Sequence, residues 1–399
     1  MTIDVASVRA DTPGCEKILH LNNAGTSLPP AIVVERVKAH LDLEAEIGGY
    51  EAADRVADEQ ERVYTAIARM LGCTVEEIAL LESATKGWDA AFYALAEQFR
   101  PGDVVLTAAN EFVNGYIAFL QTARKRGIEI VVVPSEATGE ISLPALEQAI
   151  QQHGERAKLI ALTHVPTHCG LIQPAAAVGQ IARAHGIPFL LDACQSVGQM
   201  PLCVEELGCD MLSATGRKYL RGPRGTGFLY IRRSFLKHLE PVMLDMRSAD
   251  WTATDRYEIR NDARRFESWE CSLACRLGLG VAVEYAMAVN LSAIQQRVTM
   301  LAAELRELLT AIPGVTVHDL PGKSKSAQCG IVTFTHAKVP AQAVFERLRD
   351  QGINVRVTPI FGARIDMEQR GLPEMVRASA HYFNTEGELE RFVRAVGAL

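Results

Sequence analysis

The stretch SATGRKYLRGPRGTG, from Ser213 to Gly227, holds one lysine among three arginines and four glycines. Lys218 has the widest chemical reach of these residues. A lysine is normally a solvated cation, and to act as a nucleophile it needs its amine partly neutral, through burial or a cationic neighbour. Arg217 is such a neighbour, and the glycines let backbone approach closely. Two further polar points stand where apolar runs end. EIALLES runs into Ser83-Ala84-Thr85 just before a helical pattern, so the unpaired amides of a helix start could bind phosphate; the simpler reading is a helix cap by Ser83 or Thr85. LLDACQS ends on Asp192, where an isolated carboxylate is costly unless paired or hydrogen-bonded, and Gln195 follows three residues later. A cap of the next helix is the alternative there.

The elements that would position these residues alternate along the chain. EIALLES (77–83), DVVLTA (103–108), IEIVVVP (128–134), AKLIALTHV (157–165) and IPFLLDA (187–193) are apolar runs suited to buried strands. Between them WDAAFYALAEQF, LPALEQAIQQH and AAAVGQIARAHG carry helical periodicity, the last ending on the glycine expected of a helix stop. Such alternation predicts an α/β fold with a mostly parallel sheet covered on both faces. Ligands gather at the carboxyl ends of strands in such sheets. After about residue 270 two long helical stretches precede GIVTFTH, INVRVTP and MVRASAH, and an amphipathic tail closes the chain. The expected division is an N-terminal segment (1–20) packing on the small domain, a large domain (21–270) and a smaller α+β domain (271–399).

Composition narrows the function. Lys and Arg total 41 against 48 Asp and Glu, a net charge of −7, which is a poor footprint for a nucleic-acid binder. An RNA-contacting reading of RGPRG would need interleaved aromatics, and only Tyr219 and Phe228 are near. No apolar run has the length of a membrane span, and the N-terminus lacks the layout of a signal peptide, so a cytoplasmic protein with no membrane partner is expected. Nine cysteines without CxxC pairs read as free thiols. Cys271 and Cys275 are one turn apart without nearby histidines, so no metal site is expected.

Taken together, Thr85 in ATKG, Glu111-Phe112, the HVPT segment, DACQ, the lysine of TGRK, and then RFE and VRAS resemble, in that order, class V of the fold-type I pyridoxal-phosphate enzymes. This group includes cysteine desulfurases, C–S lyases, isopenicillin-epimerase-like proteins and kynureninases. The resemblance spans LNNAGTSLPP (21–30) to VRASAHYFNTEGEL (376–389) and implies a seven-stranded-type sheet between helices. It further implies pyridoxal 5'-phosphate as cofactor and a homodimer with active sites near the subunit interface. Lys218 would hold the cofactor as a Schiff base and shuttle the Cα proton, and Asp192 would pair with the pyridine nitrogen. Gln195 would bond the ring oxygen, and Thr167 takes the place of an Asn nearby. Ala84 and Thr85 with their helix start, Thr215 and Arg217 would hold the phosphate. Phe112 falls where the desulfurases stack a histidine, and Arg217 where they carry a histidine before the lysine. Arg377 in VRAS matches the arginine that grips the substrate carboxylate, Arg356 a second arginine near the pocket, and Ala24 and Gly25 would approach the substrate. Glu270 stands where the family has a phosphate-contacting threonine. His164 reads as a packed histidine. Arg221, Arg224 and the Gly48-Gly49-Tyr50 loop stay open.

Desulfurases need a mobile cysteine on the loop after the VR segment, and TPIFGARIDMEQRGLPEM (358–375) has none. The expected reaction is therefore β-elimination from a sulfur-bearing amino acid by a C–S lyase. An aminotransferase or epimerase of the same class is the alternative, since the cofactor carries the hard chemistry and the pocket selects the bond.

Overall fold

The computed structural model describes residues 3–324 and 327–399. Leu19–His20 (β1) leads into the helices Ala31–Ile47, Gly49–Arg55 and Ala57–Leu71. The large sheet follows. Its strands are Ile78–Leu81 (β2), Val104–Ala108 (β3), Glu129–Val133 (β4), Ala157–Thr163 (β5), Phe189–Asp192 (β6), Met211–Thr215 (β7) and Gly227–Ile231 (β8). They lie in the order β2-β8-β7-β6-β5-β3-β4. Only β8 runs against its neighbours, so the sheet is mostly parallel, as the unbroken apolar runs require.

Successive residues of one strand enter opposite cores. Leu80, Leu106 and Leu191 pack with Ile67 and Val178 on one face. Ala79, Val105 and Leu190 pack with Phe92 and Phe119 on the other. Burial of each large side chain contributes roughly 1.5–3 kcal/mol. The connecting helices start and stop where the sequence says. Ser83 caps Ala84–Ala96 by accepting from Lys86 N–H at 3.1 Å. Gly186 ends Ala175–His185 at φ 64°, a conformation that favours glycine.

The chain leaves β3 for the edge strand β4 and returns to the other side of β3 as β5. The carboxyl ends of β3 and β5 therefore flank a switch point, where a crevice opens.

The hairpin Ala249–Ala253 (β9) and Arg256–Ile259 (β10) follows, and sequence patterning gives no sign of it. Then come Val315–Val317 (β11), Ile331–His336 (β12), Ile353–Asn354 (β13), Arg356–Thr358 (β14) and Met375–Ser379 (β15). A four-stranded antiparallel sheet has the order β11-β12-β15-β14. INVRVTP, which reads as one strand, splits at Val355 because its halves have different partners: β13 pairs with β1, and β14 with β15.

The packing places the division between layers later than residue 270. In the helix Leu273–Val289, Leu279, Val283 and Ala286 join the core of the large sheet. In the next helix, Leu291–Thr310, Ile294 and Val298 do the same, whereas Leu301, Leu305 and Leu309 join the small-sheet core. At the other end Leu19 and Leu21 belong to the small-sheet core, but Val8 and Cys15 to the large. No single described helix is long and apolar enough to cross a membrane.

Candidate active site

β7 ends at Thr215, and the chain turns at once through Gly216. A Cβ on Gly216 would lie 2.3 Å from Thr226 Oγ1, so only glycine lets this turn close against the start of β8. The turn delivers Lys218 to the carboxyl end of the sheet. Phe112 follows β3, Thr167 follows β5, and β14 and β15 bring Arg356 and Arg377 from the small sheet. These residues line a cavity of about 550 Å³ together with Ala24, Gly25 and Arg217. Eight of the residues singled out in the sequence thus meet in one space. Ala84, Thr85, Asp192, Gln195 and Thr215 lie outside its lining.

Lys218 Nζ stands 5.9 Å from the centroid of the Phe112 ring. Burial holds its amine below the ordinary lysine value; Cys194 and Asp192 oppose that, and Arg217 and Arg377 reinforce it. Asp192 is buried at the end of β6, and one of its oxygens accepts from Cys194 N–H at 2.8 Å. Beneath them Glu111 is buried, and desolvation pushes its carboxyl up to about 7 against hydrogen bonds from Thr163, Phe112 N–H and Thr107. The Phe112 N–H donates to Glu111 at 2.9 Å and also reaches Thr163 Oγ1 at 3.2 Å. The Glu111-Phe112 pair thereby fixes where the aromatic ring begins.

On the side where the sequence leads one to expect phosphate, Thr85 sits exposed in the first turn of its helix and accepts from Asn114 Nδ2 at 2.7 Å. Thr215 is buried, and its hydroxyl donates to Thr226 O at 3.2 Å. Its single proton is already engaged, so it offers a phosphate no donor in this arrangement. Arg217 hydrogen-bonds the Gly25 carbonyl and, at 3.3 Å, Thr26 Oγ1.

On the opposite side Arg377 is buried and donates to the Thr167 hydroxyl and, at 3.3 Å, the Thr167 carbonyl. Its Nε is buried with no partner among the described residues. Burial is the main cause that lowers its guanidinium to about 10, and Arg356 and Arg217 add to it. Gln195 Nε2 donates to Ala24 O at 3.1 Å, leaving Gln195 Oε1 buried and unpaired. Ala24 N–H is held by Ser379 Oγ at 2.9 Å. The Asn22–Gly25 turn is thus tied to β15, which a reading of NAGTS alone does not reveal.

Several residues have other places than their motifs suggest. Arg221 faces neither solvent nor the cavity: it is buried, at φ 62°, and donates to Leu28 O, Tyr382 OH and Thr12 Oγ1. It ties the N-terminal segment to the lysine loop. In FESWE the hub is Glu267, not the exposed Glu270: its carboxylate takes Tyr64 OH, Leu80 N–H and Arg247 Nε. Gly48 joins two helices, and Tyr50 is exposed and outside the cavity lining. His164 is buried against Ser196 Oγ at 3.0 Å. The segment 358–375 is anchored by a buried His168–Asp366 contact of 2.6 Å and carries the helix Arg364–Gln369. Phe345, Phe361 and Glu374 also line the cavity; their motifs carry no signal, because only the fold brings them to the mouth.

A family model described as Aminotransferase class-V matches residues 19–392. The chain belongs to this family. It is similar to a probable cysteine desulfurase of Pyrococcus abyssi, 24% identical over 392 residues, covering 97% of this chain and 95% of that protein. Among solved structures, the apo cysteine desulfurase of Thermococcus onnurineus NA1 superposes with a TM-score of 0.92 at 26% identity, covering 100% of this chain and 98% of that one. A cystine C–S lyase in complex with its product cysteine persulfide has a TM-score of 0.85, with 97% and 99% covered. At 23% identity it speaks for the fold alone. The class V enzymes use pyridoxal 5'-phosphate, and the donor set here fits it. A buried amine suits its aldehyde, an aromatic face its ring, a strand-end carboxylate its pyridine nitrogen, and the guanidinium next to the lysine its phosphate.

Proposed function

We propose that this enzyme is a C–S lyase that cleaves a sulfur-bearing amino acid by β-elimination and releases the sulfur group into solution. One observation carries the reading: no cysteine is among the described residues lining the cavity, and the segment 358–375 that walls it has none. Cys169, Cys209 and Cys329 are buried elsewhere, and burial raises the thiol of Cys194 well above its ordinary value. A thiolate is needed to accept sulfur, and none is offered there.

In this reading Lys218, Asp192, Gln195 and Arg217 hold the cofactor, with Phe112 against its ring and the Ala84-Thr85 amides at its phosphate. Pyridoxal 5'-phosphate, when bound, supplies an electron sink for the pair left at Cα. Arg377 binds the substrate α-carboxylate through its unpaired Nε and a terminal nitrogen. Lys218 Nζ, its basicity lowered by burial, takes the Cα proton and passes it to the departing sulfur. Thr167 orients Arg377, and Ala24 and Gly25 close the cavity over the substrate. The balance is one water consumed per molecule, giving the free thiol or sulfur acid, pyruvate and ammonium.

We infer that the working form is a homodimer acting on a small amino acid. The exposed Trp251 and Tyr257 of the β9–β10 hairpin and the exposed Trp269 support that reading. Gel filtration with light scattering tests it.

The decisive test incubates holoenzyme with S-substituted L-cysteines. Pyruvate, ammonium and thiol in equal amounts are expected. Alanine with a protein-bound persulfide would overturn the proposal, as would a new amino acid formed from an added keto acid.

A further inference from the structure

Arg356 and Arg377 are direct partners in the β14–β15 ladder. Residues paired in this way project from the same face of a sheet, and like charges so placed repel. Both line the cavity. Neither has a carboxylate within 4 Å among the described residues. The cavity's own carboxylate, on the exposed Glu374, pairs with neither. Four cationic side chains (Lys218, Arg217, Arg356 and Arg377) thus face one anionic one. Phosphate and an α-carboxylate answer Arg217 and Arg377. Arg356 is left over.

It is not a loose surface arginine. Its guanidinium carbon lies 5.7 Å from the centroid of the Phe345 ring, and Phe345 also lines the cavity. A cation–π contact of this kind holds the guanidinium at the cavity wall and leaves its N–H groups for an anion. Arg377 is buried and Arg356 is exposed. An anion on Arg356 therefore sits at the open end of the cavity, beyond the α-carboxylate.

We propose that Arg356 reads a second anionic group carried on the sulfur side of the substrate, so that the substrate class is a cysteine conjugate with an acidic S-substituent. This rests on the C–S lyase reading. The bond broken is Cβ–S; the acidic group leaves with the sulfur, and the carbon skeleton leaves as pyruvate and ammonium after addition of one water.

The test compares S-carboxymethyl-L-cysteine with its neutral isostere S-carbamoylmethyl-L-cysteine on holoenzyme, wild type and Arg356→Gln. Three readouts are taken: pyruvate formation, Cα proton exchange in deuterated water, and binding by calorimetry. A charge-assisted hydrogen bond predicts that wild type prefers the acid by about ten- to a hundredfold in kcat/KM, expressed in KM. Arg356→Gln brings the ratio to within about twofold, and Arg356→Lys restores part of it. Equal handling of the two conjugates by wild type, or a preference that survives Arg356→Gln, overturns the proposal. If neither conjugate yields pyruvate while binding and exchange still favour the acid through Arg356, the lyase reading fails and the acidic-substituent preference stands. If both yield pyruvate equally, the reverse holds.

Discussion

His168 Nε2 and an Asp366 carboxylate oxygen lie 2.6 Å apart, although 198 positions separate them in the chain. His168 is the residue after Thr167, which Arg377 grips, and Asp366 opens the short helix of the segment 358–375. Arg370 adds a contact to Asp366 at 3.1 Å, and the Asp366 N–H donates to Ala109 O at 3.1 Å. The segment that would have to swing in order to carry sulfur is therefore pinned to the ends of β3 and β5.

Asp366→Ala should cost on the order of 3 kcal/mol, because it strands a buried His168. Burial works to raise the Asp366 carboxyl, but His168 and Arg370 outweigh it and hold the group below its ordinary value. Its contribution is thus present at neutral pH and fades as pH falls through the carboxylate range. Urea unfolding at pH 7 and at pH 3.5 checks this; a gap between wild type and variant that does not narrow in acid would count against the pair.

Lys218→Ala should abolish turnover by at least about a thousandfold, the scale of lost general acid–base and covalent catalysis. Near-ultraviolet circular dichroism should still report a folded protein. Borohydride treatment of wild-type holoenzyme should leave the cofactor mass on the peptide containing Lys218. A tag on another lysine would remove Lys218 from its role.

Arg377→Met should raise KM about ten- to a hundredfold for every amino-acid substrate. It should leave the ligand-free protein as stable or more so, since it removes a buried guanidinium that has no acid partner. The opposite result, unchanged KM with lost stability, would make Arg377 a structural residue only.

Glu111→Gln addresses pH dependence. A carboxyl raised to about 7 by burial contributes its full stability below the ordinary carboxylate range. It loses that contribution as pH rises through 7. Wild type should therefore lose on the order of 3 kcal/mol between pH 5 and pH 9 at this residue. The Gln variant, which cannot ionise, should show a flatter profile of unfolding free energy against pH. Parallel profiles would contradict the assignment.

Arg377 and Thr215 show how unevenly the site was legible. VRAS gave the arginine only through the family resemblance, since a lone cation on a small-domain strand reads as a surface ion pair, and the fold buries it beside Thr167. TGRK also suggested Thr215 as a phosphate donor, but its hydroxyl is engaged by Thr226 O. No spacing rule shows that β8 passes close enough to take that proton. Arg221 is a similar case: three residues after a catalytic candidate it reads as open, and only the packing of Thr12, Leu28 and Tyr382 encloses it.

Apolar continuity and helix punctuation are properties of short stretches, and they determined the strands β2 to β6, three of the helices between them and the order of the site motifs. The mostly parallel sheet follows, because strands without a polar face must be covered on both sides. The sequence also carried the absence of a cysteine in 358–375. What only the tertiary structure decided are the contacts between distant segments. These are the split of INVRVTP between two partners, the helix Leu273–Val289 joining the large core, the cross-strand meeting of Arg356 with Arg377, and the pinning of Asp366 by His168. Each depends on which surfaces meet when the layers close, and burial and charge repulsion act only once they have met.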